Sequence, residues 1–61
     1  MENKKIYKVI VVPKDKLENN LNHFANDGWV LKEVIEIFYS MLSSMPTQIE
    51  ILLEKEVDAN G

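Results

Sequence analysis

Three segments of this chain, 6–12, 30–39 and 49–53, are apolar on both faces of an extended strand. Only one segment, 15–26, has the periodicity of an amphipathic helix. A single helix shields one face of a small sheet, so the other face needs another cover. The simplest cover is a second copy of the chain, and a homodimer or higher oligomer is expected. The 61 residues make one domain, with an ordered core over about 5–56 and a frayed C-terminal tail. A domain this small buries only about 60% of the surface its unfolded chain exposes. No cysteine is present to staple it, which strengthens the case for association.

The first segment is rich in β-branched residues and alternates cleanly. Ile6, Lys8, Ile10 and Val12 share one face, and Tyr7, Val9 and Val11 share the other. Pro13 cannot donate to a ladder and should end the strand. Asp15 then has the place of a helix N-cap, with Glu18 at capping-box spacing. Leu17, Leu21, Phe24 and Ala25 fall on one helical stripe. Gly28 stands where a left-handed C′ residue is needed. Trp29 at C″ can then pack back on Phe24 at C3, as in a Schellman ending.

In the second strand, strict alternation puts Leu31, Glu33, Ile35, Ile37 and Tyr39 on one face. Val30, Lys32, Val34, Glu36 and Phe38 take the other. The third strand runs from about Thr47 to Glu54. The fold class is therefore α+β: β-α-β-β, a three-stranded mixed sheet with one helix on one face, half of a ferredoxin-like fold. Its second face is expected to be buried in a homo-oligomer. The density of apolar residues in 49–53 favours a central third strand, order 1-3-2, over the alternative 1-2-3.

The composition argues against several function classes. The formal net charge is -3, and all seven basic residues are lysines. Nucleic-acid binders gain most of their affinity from a basic surface, and arginine supplies their bidentate contacts, so no nucleic-acid partner is expected. No run approaches the roughly 20 apolar residues of a membrane span. The first residues are too charged for a signal peptide, and the lack of cysteine fits a reducing cytoplasm, where the chain is expected.

Catalysis has no visible constellation. Glu33 and Glu36, three apart on a strand, should lie on opposite faces. Glu50 and Glu54 share a face but read as solvated acids. His23, the single histidine, falls on the polar side of the helix. No P-loop, HExxH, GxGxxG or EF-hand spacing occurs. The chain is expected to be no enzyme and to carry no metal and no cofactor.

The connection 40–46 is unusual for a hairpin loop, because Met41, Leu42 and Met45 stand among its serines. Methionines suit adaptable binding surfaces. This loop either folds onto an oligomer core or serves as a docking surface. Trp29 reads first as a core anchor after the glycine and second as a stacking platform. Tyr7 and Tyr39 read first as half-buried interface residues. The candidate ligand- or partner-binding residues are Tyr7, Lys8, Trp29, Phe38, Tyr39, Met41, Leu42 and Met45. Two functions fit: an oligomer that captures a small, nucleotide-like molecule at subunit interfaces, or an inhibitor-like module that binds a protein through the loop or a sheet edge.

Three stretches, Tyr7-Lys8-Val9-Ile10, Leu17-Glu18-Asn19-Asn20-Leu21-Asn22 and Gly28-Trp29-Val30-Leu31, together carry a resemblance. The chain resembles a family of short bacterial and phage proteins known only as a domain of unknown function. Its members open on a Tyr-Lys-Val-Val strand and turn at Gly-Trp-Glu-Leu. Val30 stands where that family usually has Glu, and Glu33 is the nearest acid that could replace it. The resemblance implies a β-α-β-β fold and phage or prophage kinship, and it implies no activity.

Overall fold

The computed structural model describes residues 2–59. Strand β1 (Asn3–Pro13) leads through a 3₁₀ turn (Lys14–Lys16) into helix α1 (Leu17–Ala25), followed by β2 (Val30–Tyr39) and β3 (Pro46–Asp58). The strand order is β1-β3-β2, so the apolar third strand is central as its composition suggested. Both neighbours pair with β3 antiparallel. The sheet is thus fully antiparallel, where a mixed sheet was expected. β1 and β2 do run in the same direction across the helical crossover, but β3 separates them, so no parallel ladder forms.

The ladders are longer than the apolar segments. Val57 and Asp58, expected in a frayed tail, pair with Lys4 and Asn3. Pro13 is still within β1, opposite Gln48. The Ala59 amide donates to the Glu2 carbonyl just beyond the strand ends.

Residues directly opposite each other in an antiparallel pair share a face. On one face Val12, Ile10 and Lys8 oppose Ile49, Ile51 and Leu53. Helix α1 lies on this side, where Leu17, Leu21 and Phe24 pack on the cluster of Trp29, Ile49, Ile51 and Leu53. Ile51 and Leu53 are fully buried. Ala25, the fourth member of the expected stripe, is exposed.

The start of the helix differs from the sequence expectation. Asp15 lies within the 3₁₀ turn and not at a cap, and neither helical segment has a side-chain cap at its N-terminus. Pro13 holds φ at -61 with an extended ψ, so the chain enters the turn directly behind it. The helix end agrees with expectation. The Trp29 amide donates to the Phe24 carbonyl and the Gly28 amide to the Ala25 carbonyl, both at 3.0 Å. Those two bonds are the Schellman pair. Gly28 adopts φ +90, a conformation that suits a residue without Cβ.

β2 does not alternate as its sequence suggests. Its register against β3 shifts between Leu31 and Glu33, between Val34 and Glu36, and between Phe38 and Tyr39. Leu31, Val34 and Ile37 therefore oppose Leu53, Ile51 and Ile49 on the helix side. Val30, Glu33, Glu36 and Phe38 oppose Glu54, Leu52, Glu50 and Gln48 on the other side. A bulge inserts one residue, so two bulges turn a period of two into a local period of three. The faces expected from strict alternation are corrected accordingly: Glu33 and Glu36 share a face with each other and with Glu50.

Candidate functional site

The face turned away from the helix is uncovered. β1 contributes Tyr7, Val9 and Val11 to it, β3 contributes Leu52, and β2 contributes Val30 and Phe38. Tyr7, Val9, Val11 and Val30 are each about half exposed, and Phe38 somewhat less. The acids divide on the same face. Glu33, Glu36 and Glu50 lie along its β2 side, whereas Glu54 sits among cations. Glu54 Oε2 is sealed from solvent and stands 3.0 Å from Lys32 Nζ, and Oε1 stands 3.4 Å from Lys5 Nζ. The Lys32 ammonium, by its short contact and then by its charge, holds the Glu54 carboxyl below the usual carboxylate range against the opposing effect of desolvation, and Lys5 adds to it. The same contact raises Lys32 above the ordinary amine value. Lys32 also reaches to 5.8 Å from the Tyr7 ring centre, so Tyr7, Glu54 and the two lysines form one polar knot beside the apolar stripe.

Trp29 and Lys8 lie on the other side of the sheet. Trp29 is 7% exposed and belongs to the core, as the anchor reading held. Lys8 Nζ stands 4.9 Å from the indole and 5.1 Å from the Phe24 ring, and Lys55 Nζ stands 5.6 Å from the indole. Both are within cation–π reach, so these ammonium groups face aromatic rings. Lys55 also reaches to 3.5 Å from Asp27 and lays its aliphatic stem across Gly28.

The β2–β3 hairpin carries the remaining candidates beyond the end of β1. Met41 and Leu42 are completely exposed, and Tyr39 and Met45 are more than half exposed. The turn is closed by the Ser40 amide on the Met45 carbonyl at 2.8 Å and the Ser44 amide on the Ser40 carbonyl at 3.1 Å. The Ser40 hydroxyl also accepts from the Leu42 amide at 3.2 Å. Ser44 takes φ +57 to complete it. Within the single chain this loop packs on no core. An open cleft of about 420 Å³ lies at its base, lined by Lys14, Asp15, Met45, Pro46 and Thr47. Met45 alone among the eight sequence candidates borders it.

The candidates thus fall into three places: Tyr7 and Phe38 on the open face, Lys8 and Trp29 on the helix side, and Tyr39, Met41, Leu42 and Met45 on the hairpin. Compared with known proteins, the chain matches no family model, no curated protein and no solved structure. Among the described residues no three His, Asp or Glu side chains are grouped to hold a metal ion, and no helix is long and apolar enough to cross a membrane.

Sequence reasoning missed the open-face knot. Lys5, Lys32 and Glu54 come from three strands, and which residues of different strands stand together depends on pairing that alternation within one strand does not give. It also missed Leu31, Val34 and Ile37, which form an apolar row on the helix side and remain more than 40% exposed because α1 lies over β1 and β3.

Proposed function

We propose that this chain is a small, non-catalytic, homo-oligomeric binding protein whose open sheet face is its self-association surface. The observation that carries the reading is excess surface. The accessible area is 4713 Å², whereas a folded monomer of 7.1 kDa exposes about 4,100 Å². The excess, roughly 600 Å², approaches the 800 Å² or so that each partner contributes to a standard interface. The radius of gyration is 14.2 Å, against about 10.5 Å for a compact domain of this length and about 13.7 Å for one of twice the length. A second copy laid along the 52 Å axis makes the body compact without lengthening it. Stacking across the β1 side covers Tyr7, Val9 and Val11 and leaves the acids of β2 at the rim.

Such an assembly brackets its interface with two copies of Tyr7, rings suited to a small, flat ligand of nucleotide-like size, beside the Lys5 and Lys32 ammonium groups that Glu54 holds. We propose capture of such a ligand at the subunit boundary, in a reducing cytoplasm. Kinship with the short phage proteins that share its Gly-Trp turn fits the same role. A second reading has its own observation, the fully exposed Met41 and Leu42 on a hydrogen-bonded hairpin tip, and makes the chain a protein-binding or inhibitor module.

Native mass spectrometry of the purified protein, repeated after denaturation, tests these readings. The expected result is an oligomer, with Val9→Asp giving a monomer of unchanged circular dichroism. A wild-type monomer at micromolar concentration overturns the self-association. Extra mass released on denaturation supports ligand capture, and a clean oligomer moves the weight to a protein partner.

A further inference from the structure

β1 forms one margin of the sheet, and among the described residues nothing pairs on its outer side. Its 11 residues run against β3 in unbroken register from Asn3 to Pro13. That leaves an edge about 36 Å long. In an antiparallel ladder, alternate residues of an edge strand turn their N–H and C=O groups away from the neighbouring strand. The opposite margin, β2, carries two extra residues, Lys32 and Ile35, which break the even spacing an added strand needs. Only β1 has the regularity to accept one.

Charge narrows the occupant. Residues 3–16 hold five lysines and one acid, Asp15. Residues 17–58 hold eight acids and two lysines, Lys32 and Lys55. Along β1 itself, every charged residue is a lysine: Lys4, Lys5 and Lys8. Lysines on an open edge repel a copy of that edge. A second β1 in the full antiparallel register would set Lys8 against Lys8 and bring three more lysines to the same margin with no acid on either strand to offset them, and a second β2 offers only its shifted margin. An acidic strand matches this edge better than either margin of a second copy.

We infer that the outer edge of β1 is a strand-addition site for an acidic, extended segment of another protein. Main-chain pairing supplies the affinity in this mode of recognition, and side chains supply the selection. Lys5 is drawn to Glu54 and Lys8 to the Phe24 and Trp29 rings. Of the three lysines left, Lys4 within β1 and Lys14 directly after it stand nearest the two ends of the edge, with Val9, Ile10 and Val11 between them, and Lys16 lies further along the 3₁₀ turn. The matching segment is about ten residues long, with carboxylates toward both ends and β-branched residues in its middle. The site is independent of the open-face association, because an edge and a face are different surfaces.

The test uses the ¹⁵N-labelled full chain and two synthetic peptides of about ten residues. One has a Val-Thr-Val-Thr-Val centre flanked by glutamates, and the other has the same centre flanked by lysines. The glutamate peptide should slow hydrogen exchange at alternate β1 amides by about tenfold or more at saturation, and the effect should weaken with salt. The lysine peptide should not. In the Lys4→Glu, Lys14→Glu double variant the preference should reverse, with an unchanged melting temperature reporting an intact fold. The inference is overturned if neither peptide protects β1 amides, if both do so equally, or if protection falls on the hairpin or the open face instead. Slow exchange of the outward β1 amides in the free protein would also overturn it, since a second copy would already occupy the edge.

Discussion

β1 and β2 flank the same central strand, run in the same direction and are each rich in β-branched and aromatic residues, yet they make opposite use of β3. β1 pairs without interruption, so its side chains alternate, Val12 is buried and Ile10 packs against the core that the helix covers. The β2 register shifts three times, so Leu31, Val34 and Ile37 reach the helix side at every third position, while Val30 and Phe38 fall on the open face. The consequence shows in rows that cross the sheet. Leu53 is fully buried while its β2 partner Leu31 is 42% exposed. Ile51 is likewise buried opposite a Val34 that is 46% exposed. The helix of nine residues packs on the β3 row and on Ile10 of β1, and no β2 side chain joins that cluster. The comparison teaches that burial in this fold is set by position under α1, not by side-chain hydrophobicity.

The largest test of that lesson is a matched pair of truncations. Leu53→Ala removes a fully buried side chain from the core and should cost about 2–5 kcal/mol of stability. Leu31→Ala removes the same atoms from a half-open position and should cost under about 1 kcal/mol in the unassociated chain. Urea unfolding of both variants measures the difference, and equal losses would mean that β2 is covered on the helix side as well.

Next in size is the turn that delivers β2. Gly28→Ala puts a Cβ at φ +90 and 3.3 Å from the Lys55 side chain. A non-glycine residue in the left-handed region costs roughly 1–2 kcal/mol, so a melting temperature lower by several degrees is expected. An unchanged melting temperature would show that the Schellman ending does not control where β2 begins.

A smaller effect joins the two outer strands through Glu54, which draws Lys5 of β1 and Lys32 of β2. The folded chain holds the Glu54 carboxyl below its ordinary value, so it takes up this proton less readily than the unfolded chain does. The stabilisation is complete above the unfolded-state carboxylate value and is lost as pH falls through the lowered folded one. Lys32, raised in the fold, gives the mirror case: its share is present below the ordinary amine value and is lost as pH rises through the raised one. Glu54→Gln should therefore flatten the acid limb of a stability profile taken from about pH 7 to about pH 3. A profile as steep as the wild type would assign the acid sensitivity to other carboxylates.

The smallest effect is expected at the hairpin tip. Met41→Ser and Leu42→Ser change fully exposed side chains and should leave stability within about 0.5 kcal/mol in the unassociated chain. A larger loss that grows with protein concentration would place the tip in a subunit interface.

What the sequence determined here is what local physics fixes. Element order follows from apolar runs separated by Pro13, Gly28 and the serine-rich loop, because those residues restrict or free the backbone wherever they stand. The Gly28-Trp29 ending is legible for the same reason, as is the central place of 49–53, whose apolar density needs cover on both sides. The tertiary structure decided what depends on a neighbour. The β2 register shifts arise from pairing with β3, and no residue of β2 signals them, so the placement of Leu31, Glu33, Val34 and Ile37 could not be read from alternation. The knot of Lys5, Lys32 and Glu54 likewise exists only because three strands distant in sequence lie side by side. Asp15 has the chemistry of a cap, but the chain leaves Pro13 in a 3₁₀ turn that draws it past the capping position. Propensity belongs to a residue alone, whereas a face, a cap or an ion pair belongs to at least two.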